Sequence, residues 1–303
     1  MTASSIAHQC PLTGVAGKAL RTRQPDELFG AYSTYCRFPL TEALREKYFR
    51  EPVTEYYAAE SGLRWYSPSR LGDSDFYERL STFPDYYNPA SWDKLEALRM
   101  VRESRPSSVV DVGCGDGWLV REIQASGVKA MGTDLNEEAI AKGRAEGLDV
   151  HLPDSPEIKG RHAEVMISLQ TLEHVHEPVA WLQAQVQQFQ PKTLILAVPA
   201  HDTMLGRSTE PLCWPPHHFT LWSATAMKVL AQKIGYQLHS VDYEPNSWRR
   251  FNGTLNREGR RNLDGTMRFP KSRTGALLYE LMCLLRKPWA RRAHSLIAVL
   301  HRS

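Results

Sequence analysis

The segment 108-SVVDVGCGDGWLV-120 constrains this chain more than any other stretch. An apolar run stops at an acid, passes through Gly113-Cys114-Gly115-Asp116-Gly117, and resumes with apolar residues at helical spacing. Glycine lets a backbone turn sharply and approach a ligand closely, because no Cβ intervenes. A bare loop that feeds a helix start also meets the positive end of the helix dipole. Two common answers fail. A dinucleotide fingerprint read from Gly113 needs a third glycine where Trp118 stands, and a P-loop needs Gly-Lys-Ser/Thr, which the loop lacks. What remains is Asp-x-Gly-x-Gly-x-Gly, built on Asp111, Gly113, Gly115 and Gly117.

On either side, helical and strand patterns alternate. Periodicity predicts a helix over Trp92 to Arg102 and strands at 108–112, 129–133, 149–152, 165–169, 193–198, 236–243 and 295–300. The helix after the glycine loop turns Leu119, Val120 and Ile123 inward. Asn136 caps the next one, with Glu137 and Glu138 in its first turn. Pro178 opens a third, with Val179, Leu182, Val186 and Phe189 on one face. A fourth runs from Ser223 to Gly235, with Met227, Leu230 and Ile234 inward. Such alternation implies an α/β fold with a mostly parallel sheet covered on both faces. Ligands in these sheets bind beyond the carboxyl ends of the strands, where the glycine loop falls.

The first 91 residues read differently, as a small irregular cap with one or two short helices. Nine of the twelve tyrosines lie there, and most of them suit packing. Residues 246–292 interrupt strands that would otherwise be neighbours. This insertion dominates a basic tail: from Arg249 onward Lys+Arg exceed Asp+Glu by roughly ten. The organisation is therefore a cap (1–91), a core (92–245 plus 293–303) and a basic insertion or lid (246–292). No basic stretch followed by an apolar one marks a secretory signal, and five scattered cysteines suit reduced thiols, so a cytoplasmic protein is expected.

With Asp134 placed 21 residues beyond Gly113, the loop resembles that of the class I S-adenosylmethionine (SAM) dependent methyltransferases. Further likeness lies in 168-SLQTLEHV-175 and in 216-PHHFTLWS-223, the latter typical of a bacterial branch related to ubiquinone-type O-methyltransferases. The resemblance implies a Rossmann-like seven-stranded sheet in the order 3-2-1-4-5-7-6, with strand 7 antiparallel. It implies SAM as cofactor and S-adenosylhomocysteine as product. Asp111, Gly113, Cys114 and Gly115 would cradle the methionine part, and Asp134 would hold the ribose hydroxyls. Leu135, Asp154 and Gln170 would line the adenosine, and Tyr86 and Tyr87 would border the acceptor. Relatives in that branch carry an N-terminal zinc knuckle. Here Cys10 persists while Thr13, Ala58 and Ser61 take the other ligand positions, so a metal-free knuckle is expected.

A methyl acceptor bearing a hydroxyl needs its proton removed, and histidine titrates in the right range. His174 is the first candidate and His217 the second, with His218 in the acceptor's surroundings. The reading is methyl transfer to a small molecule, with O-methylation favoured and no metal required. Alternatives stay open. Gln170, Glu173 and His174 resemble part of the metal site of RNA ribose 2′-O-methyltransferases, although a glutamine replaces one hard anionic ligand. A scaffold using the same fold without catalysis is another. Within the insertion, 275-GALLYELMCLLRKPWARR-292 is open to three readings: a core-packed helix with a solvated basic end, a lid over an anionic acceptor, or a peripheral membrane contact. Nucleic acid is less favoured as a partner, because aromatic and basic residues do not alternate there.

Overall fold

The computed structural model describes residues 8–36, 41–68, 71–81, 90–203, 211–246, 274, 281, 285 and 292–303. In chain order the elements are β1 (Lys18–Arg23), α1 (Pro25–Cys36), α2 (Glu42–Tyr48), β2 (Val53–Ala58), β3 (Leu63–Ser67), α3 (Ser74–Ser81), α4 (Trp92–Ser104), β4 (Ser108–Val112), α5 (Trp118–Ala125) and β5 (Lys129–Thr133). They continue with α6 (Glu137–Ala145), β6 (Val150–His151), β7 (Val165–Leu169), α7 (Pro178–Phe189), β8 (Thr193–Pro199), β9 (Thr220–Leu221), α8 (Ala224–Lys233), β10 (Tyr236–Pro245) and β11 (Arg292–Arg302). No helix among the described residues is long and apolar enough to cross a membrane. The chain divides into two compact units. One comprises 1–87, 199–225 and 243–296; the other comprises 88–198, 226–242 and 297–303.

The large sheet runs β10-β11-β8-β7-β4-β5-β6. Counted from β4 and leaving out β9, this is the expected order 3-2-1-4-5-7-6 read from its other edge. β4 pairs in parallel with β5 and β7, β5 with β6, and β7 with β8. A parallel strand covered on both faces has no solvent side and reads as a continuous apolar run. In β4, Val109, Val110 and Val112 are buried and so is Asp111, at 4% exposure. The core of this unit joins Ala97, Leu98 and Val101 of α4 to Leu119, Val120 and Ile123 of α5 and to Ile167 and Ile195 of the sheet. Asn136 caps α6 as expected, its side chain accepting from the Ala139 N–H at 3.0 Å. α8 ends just before Gly235, whose φ is +77°.

The other unit corrects the expectation of an irregular cap. It holds an antiparallel sheet, β1-β2-β3-β9, together with α1, α2 and α3. The strands escape a pattern reading because Glu55 is buried in β2 beside Arg23 of β1 and Arg64 of β3. The tyrosines do pack. Tyr32, Tyr48, Phe49, Tyr66, Phe76, Trp214 and Leu221 share one core, with Tyr32–Phe49 and Tyr32–Phe76 centroids 5.5 and 5.8 Å apart. The knuckle loops also meet. Cys10 Sγ lies 3.3 Å from Ser61 Oγ, and Thr13 Oγ1 donates to Glu60 Oε1 at 3.1 Å.

Candidate active site

The glycine loop is fastened to the end of the neighbouring strand. Gly113 and Cys114 both donate their N–H to the carbonyl of Thr133, at 2.7 and 3.1 Å. Two glycines are needed for separate reasons. Gly113 has φ +86°, and a Cβ there would sit 2.3 Å from Thr171 Oγ1, so the loop after β7 leaves it no room. Gly115 has φ +56°, and a Cβ there would meet nothing within 4 Å. The first glycine permits packing; the second faces open space. Cys114 turns its side chain into the core against Gly132, and burial raises its thiol well above the ordinary value. Only its main chain is available to a ligand.

Asp134 ends β5 and is already oriented. Its Oδ2 accepts from the Gly115 N–H at 2.8 Å and its Oδ1 from the Asn136 N–H at 2.9 Å. A carboxylate held by two backbone donors keeps further lone pairs for hydroxyl donors. Beside it Leu135 is 84% exposed, an unusual position for a large apolar side chain. Asp154 is exposed and lines a groove of about 440 Å³ with Leu152, Ser155, Ile140 and Arg144. Gln170, at φ +51°, donates from Nε2 to Asp93 Oδ2 at 3.1 Å. A non-glycine residue in the left-handed region at the end of a central strand is held there by its surroundings.

Three buried acids underlie this region: Asp93, Asp111 and Glu173. Burial raises Asp111 to about 7, against the pull of Lys94, and Asp134 and Asp93 push it in the same direction as burial. Burial likewise raises Glu173 to about 8. Asp93 and Thr171 escaped the sequence reading. An acid in the first turn of a helix looks like a solvated partner of the dipole, and Thr171, though inside 168-SLQTLEHV-175, is not a residue type that announces packing against a glycine.

The candidate bases are set in different ways. His174 closes a short 3₁₀ turn (Leu172–His174), its Nε2 4.0 Å from Glu173 Oε1. His217 and His218 are buried and their rings stack at 4.1 Å. His217 Nδ1 lies 2.7 Å from the carbonyl oxygen of Leu212. A carbonyl can only accept, so Nδ1 carries the proton and the lone pair of the neutral ring is on Nε2. Tyr86, Tyr87 and nearly all of 246–292 lie outside the described residues.

Together the sheet order, the glycine loop and the fixed acid define a class I SAM-dependent methyltransferase. A methyltransferase-domain family model matches residues 86–241, and the chain belongs to that family. Among curated proteins, the ubiquinone biosynthesis O-methyltransferase of Aromatoleum aromaticum is 30% identical over 123 residues, 33% of this chain and 53% of that protein. The enzyme of the same name from Hydrogenovibrio crunogenus is 25% identical over 107 residues, 32% and 44% of the two chains. The chain spans about half the length of these relatives. Among solved structures, a SAM-dependent methyltransferase from Mesorhizobium loti is 15% identical with a TM-score of 0.46, covering 71% of this chain and 100% of its own. One from Archaeoglobus fulgidus is 13% identical with a TM-score of 0.48, covering 69% and 94%.

Proposed function

We propose that this protein transfers the methyl group of SAM to a hydroxyl of a small-molecule acceptor, with His217 as the base. The observation that carries the cofactor reading is the open space over Gly115 beside the fixed carboxylate of Asp134. These residues fit SAM. Asp134 would accept from the ribose hydroxyls, Leu135 would cover an apolar face of the base, and the Gly113–Gly115 main chain would border the amino-acid end. SAM supplies an activated methyl on a sulfonium, which departs as a neutral thioether. Names of the curated relatives support oxygen as the acceptor atom.

His217 is favoured over His174 for a chemical reason. Its Nδ1–H is committed to Leu212, so the lone pair able to take an acceptor proton is at Nε2. The acid beside His174 is Glu173, which burial keeps protonated up to about pH 8. Near neutral pH that neighbour offers no negative charge to support an imidazolium. The test is transfer of tritium from methyl-labelled SAM to a panel of phenols, catechols and sugar alcohols. We expect a labelled hydroxyl product with the wild type and a loss of at least about 100-fold in His217→Asn. Label on nitrogen or carbon acceptors alone, or full turnover in His217→Asn, would refute the reading.

A further inference from the structure

We infer that the N-terminal segment is the mount of the catalytic base: Arg23, Tyr32 and Tyr77 are positioning residues that hold His217 as its Nδ1–H tautomer. The inference rests on the reading of His217 as the base, and it concerns only the unit that contains all four residues.

The loop that carries His217 is gripped at several successive points. Tyr32, 0% exposed in α1, donates its hydroxyl to the Trp214 carbonyl at 2.7 Å. The Arg23 guanidinium lies over the Trp214 ring, 4.2 Å from its centroid, and Arg23 is only 5% exposed. A desolvated cation on an indole face is the stronger form of this contact. The Gly72 N–H donates to the Pro216 carbonyl at 2.7 Å. Tyr77 of α3 donates its hydroxyl to the His217 carbonyl at 3.3 Å, and its ring sits 5.9 Å from the His217 ring. The Trp214 carbonyl also receives the N–H groups of His217 and His218. Tyr32 therefore braces the one carbonyl that organises the turn into the histidines.

This arrangement decides a proton position. The Nδ1–H of His217 reaches the Leu212 carbonyl only while residues 212 to 217 keep their turn. A loosened turn releases Nδ1 from that carbonyl, and the proton can then move to Nε2, which places the lone pair on Nδ1 instead. Packing alone would ask for bulk at Tyr32 and Tyr77; the hydroxyls on carbonyls of the same loop are what a tautomer lock requires. The buried Arg23, whose charge is paired with Glu55, is placed on that loop as well.

The test needs no acceptor. The full chain is labelled with ¹⁵N-histidine, and the His217 ring signals are assigned by their disappearance in His217→Asn. In the wild type His217 should be the Nδ1–H tautomer. In Tyr32→Phe/Tyr77→Phe its tautomer ratio should fall about ten-fold, the worth of roughly one buried hydrogen bond. Affinity for S-adenosylhomocysteine should stay unchanged. Arg23→Lys, which keeps the charge without the planar stack, should shift the ratio in the same direction, and it serves alone if the double variant does not fold. A wild-type tautomer ratio in the folded variants overturns the mount. Full turnover in His217→Asn overturns the base reading instead, so the two failures are separable.

Discussion

Gly113→Ala and Gly115→Ala carry the same kind of backbone cost and differ in what the new methyl meets. Both glycines are left-handed, at φ +86° and +56°. An L-residue there costs roughly 1–2 kcal/mol, or about 2–8 °C in melting temperature for a chain of this size. At Gly113 the Cβ would lie 2.3 Å from Thr171 Oγ1 and 3.2 Å from its Cγ2. Thr171 would have to give up its hydrogen bond to the Leu169 carbonyl, and such overpacking adds about 1–3 kcal/mol. At Gly115 the methyl meets no protein atom within 4 Å. Gly115→Ala should therefore destabilise less than Gly113→Ala, yet its methyl occupies the space assigned to the cofactor. We expect the Kd for S-adenosylhomocysteine to rise at least about 10-fold in Gly115→Ala, each decade being about 1.4 kcal/mol. Thr171→Ala should restore the overpacking share of the Gly113→Ala loss and leave the backbone share. Scanning calorimetry without ligand and titration calorimetry with it separate these costs. Wild-type affinity in Gly115→Ala, or stability loss equal to that of Gly113→Ala, would refute the reasoning.

Asp134→Asn keeps an acceptor for one backbone N–H but loses the charge, so affinity for S-adenosylhomocysteine should fall about 10- to 100-fold by titration. Burial raises Asp111 to about 7 and Glu173 to about 8, so both keep protons in the folded chain that the unfolded chain has released by about pH 5. The unfolded state then binds fewer protons, and stability should fall as pH rises from about 4 through about 8. Glu173→Gln should flatten the melting temperature between about pH 5 and 9; an unchanged slope counts against a buried neutral Glu173. The knuckle loops, joined by the Cys10–Ser61 contact, should contain no zinc by metal analysis of the purified protein. Stoichiometric zinc there would contradict that assignment, which rests on three of four ligand positions lacking a thiolate.

The centre of the sheet was legible because its strands are buried on both faces. β4, β5 and β7 are apolar runs bounded by turn residues, and their observed limits coincide with those read from pattern. Asn136 and Gly235 marked helix ends by local chemistry that tertiary contacts did not override. The cap sheet was not legible. Glu55 buried between Arg23 and Arg64 breaks the apolar alternation that would announce β2, and a strand rich in tyrosine and arginine resembles surface. Within the site, Asp134 could be read from its distance to the loop. Its two backbone donors could not, because they depend on how the loop folds back onto β5. Nor could the tautomer of His217, whose Nδ1 meets a carbonyl five residues away.

The central claim is that the Asp111–Gly117 loop and Asp134 form a SAM cradle. Titration of the wild-type chain with S-adenosylhomocysteine, beside Asp134→Ala, tests it most directly. The structure predicts saturable one-to-one binding in the wild type and a large loss of affinity in the variant. Absence of binding by the wild type up to about millimolar ligand, or equal binding by both proteins, would contradict it.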